Sequence, residues 1–325
     1  MSNSSDISLI AGIPTLNVGD FLNGDAEARN RFIAQLGAAY EGIGFAAIHG
    51  HGIPDDLIAR LYDQSKAFFG LPVETKQRYM RPETNNQRGY VAFGTEHAKD
   101  SAAADLKEFW QVGQPTPPAD GNPDEFPPNS DCTELPEFGP TAKQAFEALE
   151  SLGLVMLRAI ALHLELPEGY FDAWVPGGSS ILRAIHYPPI THEPESSVRS
   201  GQHEDINLIT LLVGASASGL EVLRHDGAWI PVTALPEHIV VNVGDMLQRL
   251  TNHRLKSTTH RVVNPPREQW SSPRFSMPFF CHPRPEMRLD ALPHLVPAGE
   301  EPKEAPITAG EYLHQRLLEI GLAKG

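Results

Sequence analysis

Residues 203–213 read His203-Glu204-Asp205-Ile206-Asn207-Leu208-Ile209-Thr210-Leu211-Leu212-Val213. The run 208–213 is short and mostly apolar, and polar residues stand before it. It predicts a buried strand. The tripeptide at its head carries chemistry. At a strand edge, residues i and i+2 point to the same face. His203 and Asp205 would then converge on one point, with Glu204 turned away. One imidazole and one carboxylate are two parts of a 2-His-1-carboxylate set. That set binds iron(II) and leaves positions open for substrate and oxygen.

The third ligand must come from a distant strand. His260 sits in Ser257-Thr258-Thr259-His260-Arg261-Val262-Val263, a good strand candidate. Spacing alone leaves His186, His253 and His282 open as alternatives. Further on, Arg274 and Ser276 are again i and i+2 on a strand. A guanidinium fork with a hydroxyl beside it suits a carboxylate. A dicarboxylate cosubstrate near a metal would need such a pair.

Working outward, β-type runs fall at 181–187, 208–213, 220–223, 239–243, 257–263 and 274–281, with turn residues between them. Short strands at this spacing predict an antiparallel sandwich or jelly roll. Before them the pattern is helical. Residues 25–41 place Phe32, Ile33, Leu36 and Tyr40 on one face. Residues 45–48 form a short strand candidate. Pro54 opens a second helix, with Leu57, Ile58, Leu61 and Phe68 on its apolar side. Prolines crowd residues 115–140, which predicts a long loop. A helix over 141–164 and a C-terminal helix over 308–320 complete the pattern. The expected fold class is α+β. A distorted double-stranded β-helix, or jelly roll, is buttressed by N-terminal and central helices. One domain spans 1–325: a mainly helical part (1–178), a jelly-roll core (179–285), and a tail with a helix (286–325).

Composition narrows the function. Acidic residues number 41 against 26 basic ones, a net charge of -15. Such a surface repels phosphate backbones and argues against nucleic acid as a partner. Cys132 and Cys281 lack CxxC spacing, so no zinc or redox site of that kind is expected. Residues 1–11 lack the basic and apolar regions of a signal peptide, and no apolar stretch approaches a membrane span. The expectation is a cytoplasmic protein, monomeric or weakly homo-oligomeric, acting on a small molecule.

Taken together, the motifs resemble the isopenicillin N synthase-like family of iron(II)/2-oxoglutarate-dependent dioxygenases. The resemblance rests on His203-Glu204-Asp205 followed by Leu208-Ile209-Thr210, on Asn252-His253, Lys256-Ser257 and His260-Arg261-Val262, and on Arg274-x-Ser276-x-Pro278-Phe279-Phe280. Gly44-Phe45, His49-Gly50-His51-Gly52-Ile53-Pro54, Phe68-Phe69, Lys76, Gly89-Tyr90 and Phe109-Trp110 extend it over residues 10–290. It implies a jelly-roll core with iron(II) held by His203, Asp205 and His260. It implies that Arg274 and Ser276 hold the distal carboxylate of 2-oxoglutarate, with Tyr187 assisting, and that Asn252 lies nearby. His49 and His51 fall in a structural turn. Arg88 is a candidate anchor for a substrate carboxylate, and Phe280 a candidate pocket residue. The implied reaction consumes O2 and 2-oxoglutarate, releases succinate and CO2, and hydroxylates a small molecule. Three rivals are an iron oxidase that uses no 2-oxoglutarate, an ethylene-forming reaction, and a non-enzymatic cupin-like binding module.

Overall fold

The computed structural model describes residues 9–10, 12–97, 104–119, 121, 126–214, 218–232 and 237–319. Most of the segment weighed as a signal peptide lies outside these residues, as does part of the proline-rich loop, Pro123 included.

Among the described residues thirteen strands form two sheets. They are β1 (Leu9–Ile10), β2 (Ile13–Asn17), β3 (Phe45–His49), β4 (Gly89–Val91), β5 (Glu108–Gly113), β6 (Ile181–Tyr187), β7 (Ser200–His203), β8 (Ile209–Val213), β9 (Leu220–Leu223), β10 (Trp229–Pro231), β11 (Ile239–Val243), β12 (His260–Val262) and β13 (Arg274–Cys281). The main sheet runs β1-β2-β3-β11-β8-β13-β6-β5-β4, and the minor sheet runs β10-β9-β12-β7. The fold is α+β with a jelly-roll core.

Alternation along each strand decides what it faces. On β3, Phe45 and Ala47 join Leu220 and Val222 of the minor sheet in a core between the sheets. Their neighbours Ala46 and Ile48 join the helix-covered core on the opposite face. That face is covered chiefly by α1 (Phe138–His163), which packs against β5, β6, β8 and β13. Its Leu149, Leu152, Met156 and Ile160 are all buried. Each such side chain contributes roughly 1.5–3 kcal/mol relative to exposure. The other main helices are Ala26–Gly42, started by Asp25, whose carboxylate accepts the Ala28 N–H at 2.8 Å, and Asp55–Phe69, entered through Pro54.

Five strands from the first 113 residues extend the main sheet at both ends. Of these, only β3 shows in the apolar pattern. In β5 all six residues are buried, Glu108 and Gln111 among them, so no polar–apolar alternation marks it. Glu108 is buried because it is paired: it accepts from Lys76 Nζ at 2.8 Å and from Tyr90 Oη at 2.5 Å, and His186 Nδ1 lies 2.8 Å away. The strand expected over 257–263 is shorter, at His260–Val262. Ser257 instead turns its hydroxyl to Asp245 at 2.8 Å.

Candidate active site

A cavity of about 520 Å³ opens between the two sheets. Its broad wall is made by β6 and β13. On β13, Arg274, Ser276, Pro278 and Phe280 line the cavity, while Phe275, Met277, Phe279 and Cys281 enter the helix-covered core. On β6, Ile181, Arg183, Ile185 and Tyr187 line it. The antiparallel register sets Arg274 opposite Tyr187, and the guanidinium lies over the tyrosine ring, 4.9 Å from its centroid. Arg274 and Ser276 are both buried.

Facing this wall, the minor sheet brings His203 and His260 together. They are register partners on β7 and β12, with ring centroids 4.4 Å apart. Asp205 does not reach the site by i, i+2 alternation within a strand, because β7 ends at His203. The chain turns there, and the Asp205 carbonyl accepts the Asp245 N–H at 2.8 Å. Asp205 Oδ1 lies 3.8 Å from His203 Nε2 and 3.7 Å from His260 Nε2. Among the described residues these three form the one group of ligating side chains with metal-like spacing, all within 4.8 Å of one another.

Each donor is fixed from behind. His203 Nδ1 lies 2.7 Å from the Gly201 carbonyl, and His260 Nδ1 lies 3.1 Å from the Thr258 carbonyl. A carbonyl only accepts, so both Nδ1 atoms carry the proton and both Nε2 lone pairs face the cavity. Burial, reinforced by the neighbouring His260, pushes His203 down to about 4. Its ring is therefore neutral and ready to ligate at pH 7. Asp205 Oδ2 accepts from Thr210 at 2.6 Å and from Asn242 at 2.7 Å, leaving Oδ1 for the cavity. Burial pushes the Asp205 carboxyl up, but His260, His203 and these two hydrogen bonds outweigh it and hold it below the usual range. Two imidazole nitrogens and one carboxylate oxygen on one side, with open space on the other, fit ferrous iron.

The remaining wall is charged. Glu96 pairs with Lys107 at 2.7 Å and with Arg183 at 3.1 Å, and Lys107 pairs with Asp105 at 2.8 Å. Gln111 accepts from Arg183 at 3.1 Å. All five line the cavity. None of them stands out in the sequence motifs. Arg183 was within reach, since it alternates with Ile185 and Tyr187. Glu96 and Asp105 carry no periodic signal in the sequence.

Two expectations are corrected. Arg88 does not line the cavity: it is buried, and its guanidinium donates to the carbonyls of Pro127 at 2.9 Å and Gln87 at 2.8 Å. Asn252 is likewise taken up by structure, donating to the Leu295 carbonyl and accepting the Lys303 N–H. Of the alternative ligands, His186 pairs with Glu108 and His253 with Glu304. His282 borders the cavity but is not part of the three-residue group. Phe280 lines the cavity.

Comparison with known proteins agrees with this geometry. Residues 13–132 match the family model described as non-haem dioxygenase in morphine synthesis N-terminal, and residues 178–283 match the 2OG-Fe(II) oxygenase superfamily. The chain belongs to that superfamily. The isopenicillin N synthase-like resemblance is upheld with it. Among curated relatives of this oxygenase is a proline hydroxylase of Petromyces alliaceus, 36% identical over 94% of this chain and 99% of the relative. Among solved structures, a 2OG-Fe(II) oxygenase family protein from Caulobacter crescentus is 41% identical over 95% of this chain and 99% of that one, with a TM-score of 0.85. A full-length Neurospora crassa protein, solved with alpha-KG and thymine, is 32% identical over 98% of each chain, with a TM-score of 0.83. The oxygenase is thus an enzyme that requires Fe(II), 2-oxoglutarate and O2. Relatives named as 2-oxoglutarate-dependent disfavour the cosubstrate-free oxidase and the binding module, and a relative named as a hydroxylase does not favour the ethylene-forming reaction. No helix among the described residues is long and apolar enough to cross a membrane.

Proposed function

We propose that the protein hydroxylates a compact, polar small molecule. In this reading His203, Asp205 and His260 hold iron(II), Arg274 and Ser276 receive the distal carboxylate of 2-oxoglutarate, and Tyr187 flanks it. One observation carries it: the three ligating side chains and the Arg274/Ser276 pair open into one cavity. Bound there, iron and 2-oxoglutarate supply the oxidising power, with O2 and the oxo acid going to succinate and CO2 as the substrate gains a hydroxyl. The chain's own contribution is geometric. Arg274 offers a fixed fork to a carboxylate, and the two Nδ1–H bonds keep the imidazoles aimed.

Size and charge bound the substrate. A volume of about 520 Å³ is modest for a ligand pocket, and cosubstrate and substrate share it. The charged wall is already paired within itself, Glu96 with Lys107 and Arg183, and Lys107 with Asp105. A substrate of net charge would have to compete with those pairs. A neutral or zwitterionic ring compound meets them with hydrogen bonds and can lie against Phe280. The proline hydroxylase and the thymine complex among its relatives support a ring of this size. Anaerobic protein loaded with Fe(II) should develop a metal-to-ligand charge-transfer band on adding 2-oxoglutarate. No band with iron bound would sink the cosubstrate assignment. Succinate release over a panel of cyclic amides and cyclic amino acids then tests the substrate class; turnover confined to large or anionic compounds would reject it.

A further inference from the structure

The strand that carries His203 lies at the edge of its sheet. β7 pairs with β12 on one side and, among the described residues, has no strand on the other. Residues 105–107 fill that open side. The Leu106 N–H donates to the Val198 carbonyl at 2.9 Å, just before β7. The Asp105 carboxylate Oδ1 accepts the Gly201 N–H at 2.9 Å, and its Oδ2 faces the Ser200 hydroxyl at 3.4 Å. Lys107 holds the same carboxylate at 2.8 Å and the Ser200 hydroxyl at 3.3 Å. Asp105, Lys107 and Ser200 are each at least nine-tenths buried. A buried carboxylate so placed requires its cation.

Gly201 links this cluster to the ligand. Its N–H is held by Asp105, and its carbonyl accepts the proton of His203 Nδ1 at 2.7 Å. A glycine backbone is free to rotate, so an external hold on its N–H has consequences for where its carbonyl points. That carbonyl sets the ring orientation of His203. We propose that Asp105, secured by Lys107, is a positioning residue for the metal: it fixes the Gly201 backbone and through it aims His203 Nε2. This rests on the reading of His203 as an iron ligand.

The test is anaerobic Fe(II) affinity, measured by competition with a chromophoric chelator, beside the thermal midpoint of metal-free protein. Partners one shell out from a metal typically change affinity about 10- to 100-fold when removed. Asp105 stands one step behind the Gly201 carbonyl, so Asp105→Ala should weaken Fe(II) binding by about tenfold, the low end of that range. Asp105→Asn, which retains an oxygen for the Gly201 N–H, should recover most of it. Should Asp105→Ala not fold, Asp105→Ser leaves an oxygen for Lys107 that is too short to reach Gly201, and gives the same readout. Affinity within about threefold of wild type in the Ala or Ser variant, against the expected factor, overturns the proposal. So does loss of affinity in Asn equal to that in Ala, which would assign the effect to the charge beside Lys107. His203→Ala serves as the reference. If it binds Fe(II) as tightly as wild type, the ligand reading itself fails; if it does not, and Asp105→Ala matches wild type, only the positioning role fails.

Discussion

The two sides of the cavity are built by different rules. On β6 and β13, long regular strands deliver Arg183, Ile185, Tyr187, Arg274, Ser276 and Phe280 by alternation alone. Opposite them, β7 and β12 have four and three residues, and their pairing is irregular between His260 and Val262. There the ligands are aimed by single hydrogen bonds to Gly201, Thr258, Thr210 and Asn242, and by the charged segment behind β7. A regular sheet spreads the task of orientation over many ladder bonds. A short edge strand leaves it to individual contacts. Substitutions should therefore fail abruptly on the ligand side and by degrees on the sheet side.

The sharpest break is expected at His260. Replacing it by Ala removes one of three donors, and the remaining pair cannot hold iron against solvent. Fe(II)-dependent succinate formation should fall below detection while the metal-free protein stays folded, as circular dichroism would record. Unchanged turnover would reject the ligand set. Next comes Glu96→Gln, which strips the shared anion from Lys107 and Arg183. Breaking a buried ion pair on one side costs about 3–5 kcal/mol. Gln111 and Asp105 still serve the two cations, so the lower end applies, read as a fall in denaturant midpoint. The same pair predicts a pH response. Burial pushes the Glu96 carboxyl up, but Arg183 and Lys107 pull it to about 2, below the unfolded value of about 4.3. Its stabilising contribution is complete above that unfolded value and is lost as pH falls towards 2. Glu96→Gln should flatten the acid limb of stability in that window. An unaltered limb would remove Glu96 from the account.

How far the sequence anticipated the molecule follows the same division. Strands at 181–187, 220–223, 239–243 and 274–281 stand where the apolar runs put them, because at least one face of each enters a core. Arg274, Ser276 and Phe280 were legible for that reason. β5 was not, because Glu108 and Gln111 are buried through ion pairs and hydrogen bonds rather than by hydrophobicity. Nor were Glu96, Asp105 and Lys107, which pair with one another and otherwise with Arg183, Ser200 and Gly201, distant in the chain. His203 and Asp205 were found, though the i, i+2 argument gave the wrong geometry: a turn beyond β7 brings the carboxylate round. Arg88 misled because an arginine near a glycine turn looks the same in sequence whether it meets substrate or backbone carbonyls.

On the sheet side the expected losses are smaller and graded. Arg274→Gln keeps the strand and removes the cationic fork. Hydrogen bonds to charged groups contribute about 1.5–3 kcal/mol, so KM for 2-oxoglutarate should rise about 10- to 100-fold while Fe(II) affinity holds. A rise in the substrate's KM alone would mean that the clamp serves the substrate instead.

The smallest effect on activity is expected at Arg88, and it decides where the cavity ends. Arg88 is buried against Gly113, where a β-carbon would run into its guanidinium. Donating to the Pro127 and Gln87 carbonyls, it ties this part of the chain to the end of β5. Burial lowers its pKa only to about 10, so it remains charged at pH 7. Arg88→Gln leaves those part-buried carbonyls short of donors, at about 1 kcal/mol, the low end for a lost hydrogen-bond partner, seen as a lower thermal midpoint. At a temperature where the variant is fully folded, kcat and the substrate's KM should match wild type. If KM rises about tenfold, roughly 1.4 kcal/mol, with the midpoint unmoved, Arg88 touches substrate after all. The cavity would then extend past Gln87 and Gln111, which already line it, to Arg88.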